Sequence, residues 1–219
     1  VLPDHFNAEV VGGTVSSKQD AVDYLTWTYY FRRLVVNPTY YGMDEVSQEN
    51  IDLFLSHLVE EAMFELEESQ CILIDDEGKI EALIPGRICS YYYLSHHTMR
   101  LMCAELDESV TMVDLLDLLT RAHEFAELPV RHNEDELNEG FAKECPVQPS
   151  VANWDSPHTK AFLLLQAHFS RLPLPIADYV TDTKSVLDQC VRVLQAMIDL
   201  AADQGWLATA LQLMQLVQM

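Results

Sequence analysis

The chain has 219 residues, 49% hydrophobic and 22% charged, a composition that excludes a disordered or membrane-embedded chain and suits one large or two small domains with real cores. Thirteen Lys plus Arg against 35 Asp plus Glu give a formal charge of −22, which repels polyphosphate at long range and argues against a free-standing nucleic-acid binder. No apolar run approaches the roughly 18 residues of a bilayer span, and the N-terminus lacks a basic flank followed by an apolar stretch, so the chain is expected to be neither secreted nor anchored by its own signals.

A short helix is expected over Leu2–Val11. A second begins at the Ser17-x-x-Asp20 box and continues through Trp27 and Phe31 until Asn37-Pro38 stops it, because proline disfavours a helical residue before it. From Ser47 the positions Ile51, Phe54, Leu55, Leu58, Val59, Ala62 and Leu66 repeat at three and four residues, which predicts an amphipathic helix with acids on its outer side. Cys71–Ile74 and Ile80–Ile84 flank Asp75-Asp76-Glu77-Gly78, whose carboxylates and glycine suit the tight turn of a β-hairpin. Three helices and a hairpin in that order predict a winged-helix domain over residues 1–85, and Pro85-Gly86 punctuates the chain at its end.

Residues 86–219 are expected to be a helical bundle. Ser95, Thr111 and Asn133 stand where they can cap helices, with Thr111-x-x-Asp114 and Asn133-x-x-Glu136 resembling capping boxes. Ser156-Pro157 opens another helix that runs through Phe162, Leu165 and Phe169 to Arg171, after a loop over Pro146–Asp155. The last long helix is expected from Thr181 or Asp182 to Gly205, a glycine suited to a left-handed cap, and at about 1.5 Å per residue it is roughly 33 Å long. One of its faces carries Val186, Leu187, Cys190, Val191, Leu194, Met197, Ile198 and Ala202. The other carries Lys184, Asp188, Arg192, Gln195 and Asp199, a single polar row that mixes basic and amide groups and could follow a nucleic-acid backbone.

The chemistry of a motor is missing. The only Gly-Lys pair, Gly78-Lys79, has no upstream glycine and is followed by Ile80, so no phosphate-cradling loop is present. Asp44-Glu45, Asp76-Glu77, Asp107-Glu108 and Asp135-Glu136 lack the residues of a DExH box and are expected to be solvated charge. The five cysteines, 71, 89, 103, 145 and 190, form no CxxC pair and are expected to be buried thiols in a reducing compartment. His96-His97 are adjacent side chains that diverge by about 100° on a helix and so cannot easily share an ion. No catalytic residue and no metal ligand are expected. The Tyr91-Tyr92-Tyr93 run could present a stacking surface to bases, but core and interface packing is the favoured reading. Between Leu34 and Gly78 there are 12 acids and no Lys or Arg, so the third helix cannot read a DNA groove and is expected to pack against protein.

Long strings then bear a family likeness. His5–Glu9, Lys18–Thr28, Asn37–Tyr41, Gly86–Tyr93, Arg131–Asp135, Asp155–Ala161, Leu163–His168 and Gln204–Leu207 resemble the post-motor region of Ski-2-like superfamily 2 helicases with Sec63-like modules. The resemblance implies a mainly α fold, a winged helix followed by a Sec63-like bundle with a long ratchet helix, truncated before helix-hairpin and immunoglobulin-like parts. It implies a parent enzyme that unwinds nucleic acid 3'-to-5' with ATP and Mg held by motor domains absent from this chain, which itself needs no cofactor. Implied partners are single-stranded nucleic acid in the full cassette, RecA-like domains of the same chain and other subunits of a larger complex, without a membrane. Arg192 falls on a basic position of the family's ratchet helix, Gln195 where some relatives carry arginine, and Lys184 near the helix start; these three are the expected strand contacts. DNA alkylation repair, ribosome quality control and a location in nucleus and cytosol follow as implications of the family. The competing reading is an acidic helical scaffold that binds protein and touches no nucleic acid.

Overall fold

The computed structural model describes residues 1–42, 47–151 and 153–219, and the acid pair Asp44-Glu45 lies outside them. The described residues form eleven α-helices and two short strands, divided between two compact units, Val1–Tyr91 and Tyr92–Met219.

In the first unit, α1 (Leu2–Gly12) has its proline in the first turn, where a missing N–H costs nothing, and ends on Gly13 at φ +79°. The expected Ser17–Asn37 helix is two helices, α2 (Lys18–Thr26) and α3 (Tyr29–Val36). Thr28 divides them. Its extended backbone leaves the helix, its hydroxyl donates to the Leu25 carbonyl at 2.6 Å, and the same oxygen accepts from the Phe31 amide, so one side chain closes α2 and caps α3. The Ser17 hydroxyl accepts from the Asp20 amide as the box predicts, whereas the Asp20 carboxylate reaches the amide and hydroxyl of Ser16.

The unit's longest helix, α4 (Gln48–Glu68), buries Ile51, Leu55, Val59, Ala62, Met63 and Leu66 and leaves every acid of its outer face exposed. It ends in a Schellman turn: Gln70 sits at φ +56° while the Cys71 amide donates to the Leu66 carbonyl and the Gln70 amide to Glu67. β1 (Ile72–Ile74) and β2 (Ile80–Ala82) pair antiparallel with Leu73 opposite Glu81, and the Asp75 carboxylate accepts from the amides of Glu77 and Lys79 to hold the turn. A bridge between Ser17 and Lys79 adds a third segment to this wing. Phe6, Leu25, Leu34, Leu55, Met63, Leu66 and Ile72 are fully buried and form the core.

Pro85-Gly86 does not interrupt the chain locally. Both lie in the first turn of α5 (Ile84–Tyr92), where Gly86 faces the β1 end so closely that a Cβ would stand 2.1 Å from the Cys71 carbonyl oxygen, and its own carbonyl accepts from the Asn7 amide at 2.9 Å. The glycine answers a close backbone approach.

The second unit contains α6 (His96–Glu105), α7 (Met112–Thr120), α8 (Glu134–Ala142), α9 (Pro157–Ser170), α10 (Asp178–Asp203) and α11 (Leu207–Val217). Ser95 and Ser156 cap α6 and α9, and Thr111 with Asp114 forms a reciprocal capping box. Asn133 does not cap: it sits in the left-handed region at φ +65° with no capping hydrogen bond, and the first turn of α8 is completed instead by Glu134, which accepts from the Arg131 amide. α9 is buried from Thr159 to Ala167 without interruption and is the centre against which α7, α8 and α10 pack, while α11 packs on α10. The loop before α9 is fastened by amide side chains: Gln166 bonds both the amide and the carbonyl of Val147, and Asn138 donates to the Trp154 carbonyl.

Candidate functional site

α10 starts three to four residues before the expected Thr181 or Asp182, and its 26 residues span about 39 Å at about 1.5 Å each. Its buried line is Tyr179, Asp182, Thr183, Val186, Cys190, Val193, Leu194, Ala196, Met197, Leu200 and Ala201. Of the apolar face read from the sequence, Val186, Cys190, Leu194 and Met197 are inside, but Val191 is 45% exposed and Ala202 is exposed as well. The helix is rotated toward Val193 and Leu200 because both α9 and α11 lean on it, which widens the buried arc beyond a single stripe.

The five polar residues do share one outward strip. Lys184, Asp188, Gln195 and Asp199 are exposed and Arg192 is half-buried. Lys184 makes no ion pair among the described residues. Arg192 is tied down: its Nη1 donates to the carbonyls of Tyr92 at 3.1 Å and Tyr93 at 3.2 Å, its Nη2 donates to Gln189 Oε1, and the Tyr92 hydroxyl donates to Asp199 at 2.7 Å. A guanidinium thus closes the C-terminal end of α5, where a helix leaves carbonyls unpaired and favours positive charge. The strip carries two bases and two acids, so its attraction for phosphate is local.

The start of α10 is held by a set of charges that periodicity did not reveal. Lys160 on α9 is wholly buried, and its Nζ donates to the Pro129 carbonyl at 2.7 Å, to Glu134 at 2.6 Å and to Asp182 at 2.7 Å. Arg131 donates to Glu134 at 2.8 Å and grips both oxygens of Asp182 at 2.7 and 3.2 Å. Two cations and two carboxylates balance, and every ammonium N–H has an acceptor, the condition under which buried ions are tolerated. Tyr179 extends the cluster, its ring 4.7 Å from Lys160 Nζ and its hydroxyl donating to Asn138 at 2.7 Å. Burial pushes the Glu134 and Asp182 carboxyls up, but the hydrogen bonds from Lys160 and Arg131 outweigh it and leave both below their ordinary values. Burial raises the Tyr179 phenol, with Glu134 and Asp182 adding to the effect. Arg131, Glu134 and Lys160 stand in two of the strings that carried the family likeness; a lysine inside an otherwise uncharged helix is the signal in the sequence that points to the cluster.

Other expectations are altered. The His96 and His97 rings lie 4.0 Å apart and His97 lies 5.3 Å from His123, so the adjacent histidines do not diverge; no group of three or more His, Cys, Asp or Glu suited to a metal ion occurs among the described residues. Tyr91 and Tyr93 are 75% and 85% exposed rather than packed in a core. Four of the cysteines are buried, with burial pushing the thiols of Cys145 and Cys190 up to about 11 and about 12, while Cys103 is half-buried.

Residues 82–219 match the family model described as the Sec63 Brl domain, and residues 1–76 match one described as a winged helix-turn-helix domain. The chain is 54% identical over its full length to activating signal cointegrator 1 complex subunit 3 of Homo sapiens. Identity is 47% to the DExH-box ATP-dependent RNA helicase DExH14 of Arabidopsis thaliana and 41% to the U5 small nuclear ribonucleoprotein 200 kDa helicase of Homo sapiens, again over the whole chain. The chain spans 10% of the length of each of these relatives. Identity to the cointegrator-complex subunit thus exceeds identity to the U5 helicase over the same residues. With the Sec63 Brl match covering more than half of the chain and a winged helix-turn-helix match before it, the protein belongs to the Sec63 Brl domain family.

Proposed function

We propose that this chain is the strand-guiding, non-catalytic part of an ATP-dependent 3'-to-5' helicase, in the C-terminal cassette of a cointegrator-complex subunit. The anchoring of α10 carries the reading: a 26-residue helix is pinned near its start by buried ions and turns one polar row outward. A rigid helix of that kind offers fixed contacts to a moving strand, and Arg192, Lys184 and Gln195 are the contacts we assign. ATP and Mg belong to RecA-like domains elsewhere in the parent protein. Those domains, single-stranded nucleic acid and other subunits of the cointegrator complex are the partners. Repair of alkylated DNA, rescue of collided ribosomes and a place in nucleus and cytosol belong to the same proposal.

The contacts we assign are with the sugar-phosphate backbone and so independent of sequence. Photoreactive single-stranded DNA and RNA bound to the complete helicase test the reading. Adducts between residues 184 and 199 are expected. If those residues stay unlabelled while the helicase binds the strand, the assignment fails.

The acidic scaffold remains a second reading on one observation: Glu49, Asp52, Glu60, Glu61, Glu65, Glu67 and Glu68 are all exposed on α4. This face repels phosphate and suits a basic protein surface. The two readings concern different helices, and the crosslinking result separates them for α10.

A further inference from the structure

Tyr93 combines three properties that packing does not explain. It follows the last residue of α5, it lies in the left-handed region at φ +53°, and its side chain is 85% exposed. Glycine or asparagine ordinarily takes such a position, because an L side chain there crowds the backbone. Arg192 holds this conformation by donating to the carbonyls of both Tyr92 and Tyr93, while the Tyr92 hydroxyl fixes the same turn to Asp199 two helical turns further along α10. A bulky ring is therefore kept in a costly conformation and aimed at solvent from a rigid mount, and retained strain of this kind concentrates at functional positions.

The mount belongs to the polar row. Arg192 spends three of its five N–H groups on Tyr92, Tyr93 and Gln189, leaving two for a phosphate oxygen. An exposed aromatic side chain on a residue whose backbone meets a partly satisfied guanidinium supplies the two groups that hold single-stranded nucleic acid without regard to sequence: a ring to stack on a base and a cation to meet the strand's backbone. We infer that Tyr93 is a base-stacking subsite for single-stranded nucleic acid, set beside Arg192 at the edge of the α10 row. This inference rests on the strand-guiding reading and names the aromatic contact which that reading lacks.

The test uses the complete helicase with Tyr93→Gly, Tyr93→Phe and Tyr93→Ala, and single strands carrying 5-iodouracil, which crosslinks to stacked aromatic rings. Tyr93→Gly is the decisive variant, because glycine accepts the left-handed backbone and removes only the ring. An adduct on Tyr93 is expected in the unaltered protein. Affinity for the single strand should fall about 5-fold to 100-fold in Tyr93→Gly and Tyr93→Ala and stay within about 2-fold in Tyr93→Phe, as loss of one stacked base requires. Unchanged affinity in Tyr93→Gly, or a loss in Tyr93→Phe equal to that in Tyr93→Ala, overturns the inference. Adducts on residues 184–199 with none on Tyr93 overturn the stacking subsite and leave the strand-guiding reading standing. Adducts on neither remove both.

Discussion

Replacing Lys160 by Met removes the central cation of the buried cluster while keeping its stem. The Nζ has no solvent contact and meets three acceptors within 2.6–2.7 Å, so the variant leaves Glu134 and Asp182 sharing Arg131 alone, and the quartet passes from neutral to a charge of −1. Both carboxylates are about as buried as Lys160, with side-chain exposures of 3% and 4%, so water cannot take the place of the lost ammonium. Breaking a buried pair in this way costs about 3–5 kcal/mol. Arg131, which is 41% exposed, still neutralises half of the negative charge and places the expectation near the lower end, about 3 kcal/mol. Urea unfolding of the chain measures it as a lowered midpoint with an unchanged slope. Glu134→Gln added to Lys160→Met restores charge balance and should recover part of the loss, which a purely steric defect would not allow. A loss below about 1 kcal/mol, the range of exposed ion pairs, would refute the view that this cluster anchors α10.

The same cluster sets a pH dependence. Glu134 and Asp182 have folded-state values held below their ordinary 4.5 and 3.8, so their contribution is fully present above pH 4.5 and is lost as pH falls through the lowered values. Urea midpoints of the unaltered chain at stepped pH should therefore lose the cluster's contribution only below pH 4.5. Gly86→Ala places a Cβ 2.1 Å from the Cys71 carbonyl oxygen, a backbone atom with little room to yield, and should cost roughly 3 kcal/mol or more in thermal melts read by circular dichroism. Gln70→Gly relieves a left-handed residue at φ +56° in the Schellman turn and should stabilise by about 1 kcal/mol in the same melts. Arg192→Ala in the complete helicase should lower unwinding more than ATP hydrolysis, and full unwinding by that variant would remove Arg192 from the strand path.

The long amphipathic helices were legible from periodicity because burial follows the 3.6-residue repeat whatever their partners: α4 lies where Ile51 to Leu66 placed it. The hairpin was legible because Asp75 and Gly78 satisfy turn geometry locally. Thr28 gives no sign of a break in the sequence, because Thr is only mildly unfavourable inside a helix; its role depends on a hydroxyl turning back to Leu25. Gly86 looks like punctuation beside Pro85, whereas its need arises from Cys71, fifteen residues earlier and across a packing contact. The polar row of α10 emerged from spacing alone, but the tether of Arg192 could not, since its acceptors lie about a hundred residues away in the chain. The ion quartet was hidden for the same reason: charges scattered from Arg131 to Asp182 carry no periodicity until the fold brings them together.

The order in which the quartet is synthesised gives it a further consequence. Arg131, Glu134 and Lys160 leave the ribosome before Asp182, which follows Lys160 by 22 residues. Until it arrives, Lys160 lacks one of its three acceptors, and burying an ammonium with an unsatisfied N–H is unfavourable. The α8–α9 pair is therefore kept from closing on itself before α10 is available, and the last carboxylate acts as a completion check. Premature collapse around α9, which is buried without interruption from Thr159 to Ala167, is disfavoured by a missing charge.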